Sequence, residues 1–163
     1  WHSLYESKSG ERGIFNRVSA KKKATENGRR DTDWDFGTNP CGEIILRPCG
    51  LCNLSEVIVR SNDTPDTLAK KVRIATIIGT FQSTLTDFRY IRKQWKRNAE
   101  DERLLGVSLT GIMDSKLTSG LDCGDLLQDL RATSITVNKE WADKLGINPS
   151  VAITTVNLSS FVE

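Results

Sequence analysis

Leu54-Ser55-Glu56-Val57-Ile58-Val59-Arg60, followed shortly by Thr64-Pro65-Asp66, is the stretch that decides the fold class. The first seven residues are rich in β-branched side chains and alternate in polarity, which predicts a strand. Thr64 can then cap a helix, Pro65 suits a first helical position whose N–H has no partner, and Asp66 meets the positive end of the helix dipole. Leu68, Val72, Ala75, Ile78 and Leu85 follow at roughly helical spacing and predict an apolar face running to about Tyr90. Beyond it, Ile91 to Arg103 is strongly charged and reads as an exposed turn or short helix. Leu104 to Gly111 reads as a buried strand whose glycines permit close approach. Gly124 to Leu145 is helical in pattern, its apolar set being Leu126, Leu127, Leu130, Ile135, Val137 and Trp141, and Gly146 stands where a left-handed C-terminal residue belongs. Val151 to Val156 predicts a further strand. Upstream, Ile44-Ile45-Leu46 is a short strand broken by Pro48 and Gly50. Ile14 to Glu26 can carry a short helix with Lys21-Lys22-Lys23 as its wet face, between loops at Ser9 to Gly13 and Asn27 to Gly37. Strand and helix in alternation predict an α/β fold.

The 163 residues are enough for one domain with a core. Hydrophobic residues at 37% and charged residues at 27% describe a soluble, globular chain. With 23 Lys+Arg against 21 Asp+Glu, the net charge of +2 gives no support to nucleic acid or a membrane surface as a partner. No apolar run approaches the ~20 residues of a spanning helix. No export signal is legible, so the expected location is cytoplasmic. Four cysteines, three of them within Cys41 to Cys52, are too sparse for a disulfide scaffold and point to metal or redox chemistry.

Asn39-x-Cys41-x-Glu43 would place an amide, a thiol and a carboxylate on one side of an extended chain, where they could converge on a small polar substrate. The same residues also read as a turn whose Asn39, Pro40 and Gly42 serve geometry and whose Cys41 is a small core residue. Cys49-x-x-Cys52 reads as two packed thiols, as a thiol–disulfide pair, or as half a zinc site for which only Cys41, Cys123 and His2 remain as further ligands. Cys123 reads as structural, and Trp34, Trp95 and Trp141 as packing residues.

The run Gly37-Thr38-Asn39-Pro40-Cys41-Gly42-Glu43-Ile44-Ile45-Leu46-Arg47-Pro48, with Cys52-Asn53-Leu54-Ser55-Glu56-Val57, closely resembles the active-site segment of ribonucleotide reductases. The Asn-Pro-Cys-Gly-Glu form looks like the adenosylcobalamin-dependent (class II) enzymes, especially the monomeric type that reduces ribonucleoside triphosphates. Ser9 to Asn16, Gln82 to Phe88 and Glu102 to Gly111 resemble further stretches of that family, so the likeness covers about residues 1–156, leaving 157–163 as a non-family tail. It implies part of a ten-stranded α/β barrel threaded by a finger loop. It also implies that Cys41 carries a thiyl radical, that Glu43 takes the 3′-hydroxyl proton, that Asn39 holds the ribose hydroxyls, and that Cys52 is one of two reducing cysteines. A ribonucleoside triphosphate substrate, a thioredoxin-like reductant, adenosylcobalamin and the remaining parts of the reductase chain follow as expected partners; no metal site in this chain is implied. The chain departs from the family pattern in four ways. No residue matches the second reducing cysteine or the C-terminal cysteine pair, Cys49 is additional, and after Val156 the sequence turns to Asn157-Leu158-Ser159-Ser160 in place of a Lys-Pro-Ser-Gly loop. The expectation is therefore a catalytic-domain fragment, inactive alone. The alternatives are a non-catalytic docking piece of a split reductase and a thiol-redox or zinc module.

Overall fold

The computed structural model describes residues 1–9, 13–26 and 28–156. The middle of the predicted Ser9–Gly13 loop, Asn27 and the 157–163 tail lie outside the described residues.

Two helices form at the start of the chain, α1 (His2–Ser7) and α2 (Arg17–Glu26). The first was not legible in the sequence. Asn16 opens the second, its Oδ1 accepting from the Ser19 N–H at 3.0 Å. Ala20 and Ala24 are the buried side of α2, and the three lysines are exposed as expected. A small antiparallel hairpin follows, β1 (Gly37–Thr38) with β2 (Ile45–Leu46). Its turn is the Asn39–Ile44 segment.

The centre of the molecule is a parallel unit. Strand β3 (Asn53–Ile58), helix α3 (Pro65–Gln82), helix α4 (Lys93–Glu102), strand β4 (Leu105–Thr110) and helix α5 (Gly124–Leu145) follow in order. β3 and β4 pair in parallel, from Asn53 opposite Leu105 to Ile58 opposite Thr110. Residues 152–155 run along the other edge of β4. Leu105 N–H donates to Ala152 O at 3.0 Å, Val107 N–H to Ile153 O at 2.8 Å, and Thr155 N–H to Val107 O at 3.2 Å. The strand expected at Val151 to Val156 is thus present as a strip of ladder bonds, with one parallel bridge between Val107 and Thr154. β4 is thus paired along both edges, and residues 104–108 are all buried.

Val57, Val59, Leu68, Val72, Leu105, Val107, Leu130 and Ile153 form one apolar core in which α3 and α5 cover the sheet. Gly106 is closely packed: a Cβ there would lie 2.5 Å from Leu54 Cδ2 and 3.3 Å from Cys52 Sγ, so those side chains would have to shift. The start of α3 forms as its sequence predicts, with Thr64 and Thr67 closing a reciprocal capping box and Pro65 in the first turn. Its end differs. The helix stops at Gln82, because beyond it no core remains to cover: Leu85 is 72% and Tyr90 97% exposed. Ile78 is also exposed, and the buried line of α3 continues instead through Thr76, Gly79 and Thr80. Both threonine hydroxyls bond back to the carbonyl four residues earlier, at 2.7 Å, which lets a polar side chain lie in a helix–helix contact. Asn138 of α5 completes that contact, donating to Thr80 Oγ1 at 3.0 Å and accepting from the Ser150 N–H at 2.8 Å. Gly146 ends α5 at φ 65°, in the left-handed region anticipated for it.

The described residues show an α/β arrangement of small sheets. No described helix is long and apolar enough to cross a membrane.

Candidate active site

The Asn39–Glu43 segment is a turn, so its side chains do not alternate as they would along an extended strand. Gly42 N–H donates to Asn39 O at 3.1 Å, and Gly42 takes φ 85°, which a side chain would resist. Asn39 is used in closing this turn: its Oδ1 accepts from the Ile44 N–H at 3.0 Å. Cys41 is exposed on the turn.

What the fold brings together is Glu43 and Cys52. Both line a cavity of about 580 Å³ between the hairpin, β4 and the 152–155 strip. Asn39 and Cys41 are not among its lining residues. Thr155, far along the chain, ties the two walls, its hydroxyl donating to Glu43 O at 3.2 Å. Among the described residues Glu43 Oε2 is buried without a hydrogen-bond partner, an arrangement that costs stability unless another group or solvent answers it. Burial pushes the Cys52 thiol up to about 12; nearby Arg30 opposes this and the Glu43 and Glu102 charges add to it. Cys52 is therefore held as a neutral S–H at neutral pH, suited to giving up hydrogen and poorly suited to attack as a thiolate.

Cys49 lies apart from this cavity. It takes φ 59° in the turn after Arg47 and lines a separate hollow with Phe36 and Pro48. All four cysteines are free thiols. Among the described residues no three His, Cys, Asp or Glu side chains gather to hold a metal ion, and His2 lies exposed on α1 beside Glu6. The zinc reading of Cys49-x-x-Cys52 thus finds no ligand set there.

The hairpin is held by buried charge. Arg30 Nε and Nη2 both donate to Glu102 of α4, at 2.7 and 3.2 Å, and its Nη1 donates to Ile45 O at 2.8 Å. Arg47 Nη2 donates to Asn98 O and to Asp101, each at 3.1 Å, and its Nε makes an ionic contact with Glu102 at 3.3 Å. Asn98 Nδ2 donates to Pro48 O at 2.7 Å. The two guanidinium groups also stack, Arg30 over Phe36 at 4.7 Å and Arg47 over Trp34 at 4.8 Å. Sequence reasoning missed these residues. It read α4 as exposed, yet Asn98, Ala99 and Glu102 are buried. A buried Arg–Glu pair has the same letters as a solvated one, and no local spacing reveals it.

The fold resembles part of that of a B12-dependent (class II) ribonucleotide reductase. A crystal structure with that description superposes with a TM-score of 0.59, at 22% identity, over 76% of this chain and 21% of the other. The sequence points more narrowly, to adenosylcobalamin-dependent ribonucleoside-triphosphate reductases. It is 27% identical to the enzyme of that name from Lactobacillus acidophilus over 94% of this chain, and 28% identical to that from Lacticaseibacillus paracasei over 98%. The chain spans about a quarter of the length of these curated relatives, 24% and 25% respectively. No family model matches it.

Proposed function

We propose that residues 1–156 form part of the catalytic barrel of a class II-like ribonucleoside-triphosphate reductase, with the Asn39–Glu43 turn as its finger loop and the adjoining cavity as the ribose site. One observation carries this reading: Glu43, two residues from Cys41, shares a cavity with Cys52, and Cys52 is held there as a neutral thiol. The similarity along nearly the whole chain supports it.

In this reading Cys41 is the radical carrier and takes the hydrogen atom from the 3′ carbon of the ribose. Glu43 accepts the 3′-hydroxyl proton. Cys52 supplies hydrogen as the 2′-hydroxyl leaves as water, and Asn39 holds the ribose hydroxyls. Replacing C–OH by C–H needs two electrons, which two thiols supply on becoming a disulfide; Cys52 is one of them. A thioredoxin-like dithiol would return the disulfide to thiols. Adenosylcobalamin supplies the radical in the complete enzyme. The described residues show no corrin-binding set, so none of these residues is assigned to hold it. With a single candidate reducing thiol in the cavity, the chain alone is expected to give no turnover with adenosylcobalamin, a dithiol and a ribonucleoside triphosphate.

The test is to transplant residues 1–156 into the matching segment of the Lactobacillus acidophilus enzyme and assay deoxynucleotide formation. The reading expects activity that Cys41→Ser and Cys52→Ser each abolish. A folded chimera whose activity survives Cys41→Ser contradicts it.

A second reading, a docking piece without catalysis, has its own observation. Leu54 and Ile58 of β3, with Ile74 and Ile78 of α3, are exposed on one side of the parallel unit. Co-purification with chains that complete the sheet, and no loss of binding in Cys41→Ser, would favour it.

A further inference from the structure

We propose that Arg30, held by Glu102, is a positioning residue for the Glu43–Cys52 cavity: its buried guanidinium braces two walls of that cavity against each other and, with Glu102, sets the charge that Cys52 faces. Both side chains are buried, at 3% and 7% exposure. One wall is the hairpin, where Glu43, Ile44 and Ile45 line the cavity; the other includes Leu104 and Leu105, just after Glu102. Arg30 reaches both. Its Nη1 donates to Ile45 O at 2.8 Å, and its Nε and Nη2 donate to the Glu102 carboxylate at 2.7 and 3.2 Å. Cys52 is placed from the second wall as well, because Asn53 N–H and Nδ2 both donate to Leu104 O, at 2.9 and 3.1 Å. A planar guanidinium suits this task, since its nitrogens fix the angle between a carboxylate and a carbonyl. Packed apolar side chains would hold the walls together at least as firmly as a buried ion pair. What charge adds is direction, and a field that the interior screens weakly. Three charges act on the Cys52 thiol: Arg30 favours its ionisation, Glu43 and Glu102 oppose it, and burial is the largest influence. Lys23 of α2, Arg29 of the loop after it and Arg131 of α5 line the same cavity. With Glu102 in place the Arg30 charge is answered, and Cys52 stays a thiol.

The brace and its charge balance hold for any chemistry that Cys52 performs; that they serve hydrogen donation to a ribose rests on the function proposed above. The experiment therefore needs no turnover, and its failure leaves that function standing. Iodoacetamide alkylation of the full chain is followed at pH 9, with each cysteine resolved by mass spectrometry and the exposed Cys41 as internal reference. Glu102→Gln leaves the Arg30 charge unanswered and should speed alkylation of Cys52 about three-fold or more, while Arg30→Gln leaves the carboxylates in excess and should slow it about as much. Arg30→Lys returns the charge and should bring the rate back toward wild type. A merely structural pair predicts a different pattern, because either glutamine variant would loosen the walls, admit water to Cys52 and speed its alkylation. Opposite signs in the two glutamine variants, with rescue by Arg30→Lys, support the proposal. Acceleration in both, no change in either, or an Arg30→Lys rate no nearer wild type than that of Arg30→Gln overturns it. Should a variant fail to fold, the wild-type chain decides: as alkali ionises Cys52, the Arg30 Cζ resonance must move in step with Cys52 Cβ, and an Arg30 signal indifferent to Cys52 overturns the proposal.

Discussion

The parallel unit and the hairpin region are held together by different forces. From β3 to α5, stability comes from Val57, Leu68, Val72, Val107 and Leu130 leaving water together. From Arg30 to Gly50 buried Phe36 is joined by a polar network, in which Arg30, Arg47, Asn98 and Glu102 bind the hairpin to α4 through buried charge and hydrogen bonds. The first region is an apolar scaffold. The second fixes the direction of one turn, the one that brings Glu43 into the cavity that Cys52 also lines.

Breaking the charge network should have the largest effect. Glu102→Ala leaves Arg30 and Arg47 buried without their shared carboxylate, and the expected loss is about 3–5 kcal/mol in a denaturant titration. Hydrogen exchange should show residues 37–50 loosening before the parallel unit. Uniform loosening would mean that the two regions are one cooperative block.

Leu68→Ala, in the fully buried line of α3, should cost about 2–5 kcal/mol. Here the order should reverse, with protection lost first in α3, β3 and β4.

Alkaline pH sharpens the comparison at the point where the regions meet. Cys52 is held as a thiol, its folded pKa raised to about 12 from an ordinary value of 9.0. A raised pKa means that the stabilisation is whole below the unfolded value and is lost as pH rises through the folded one. Stability should therefore fall between about pH 9 and 12, and Cys52→Ala should flatten that fall. At pH 8, alkylation should reach the exposed Cys41 well before Cys52.

Thr64→Ala removes one side of the capping box of α3 and should cost only about 1 kcal/mol, read as a small shift in the urea midpoint with no change in the hairpin.

The contrast also explains what the sequence could and could not reveal. The start of α3, strand β4, helix α5 and Gly146 were legible because apolar periodicity, caps and glycines act locally. The true extent of α3 was not, because Ile78 and Leu85 fit the period yet face no core. The hidden face of α4 and the roles of Arg30 and Arg47 were not legible either, since pairing with Glu102 depends on residues far apart in the chain. At the site, the motif around Cys41 was visible in the sequence. Its turn geometry, with Asn39 closing the turn, was one of two open readings. The meeting of Glu43, Cys52, Arg29 and Arg131 in one cavity was not visible, because it needs α2, α5 and the 152–155 strip folded into place.

The most direct test of the central claim is an amide chemical-shift titration of the chain with a ribonucleoside triphosphate. The account predicts saturable shifts at Glu43, Cys52 and the 152–155 strip, strongly reduced in Glu43→Gln. Shifts confined to the Leu54–Ile78 face, or none at all, would contradict it.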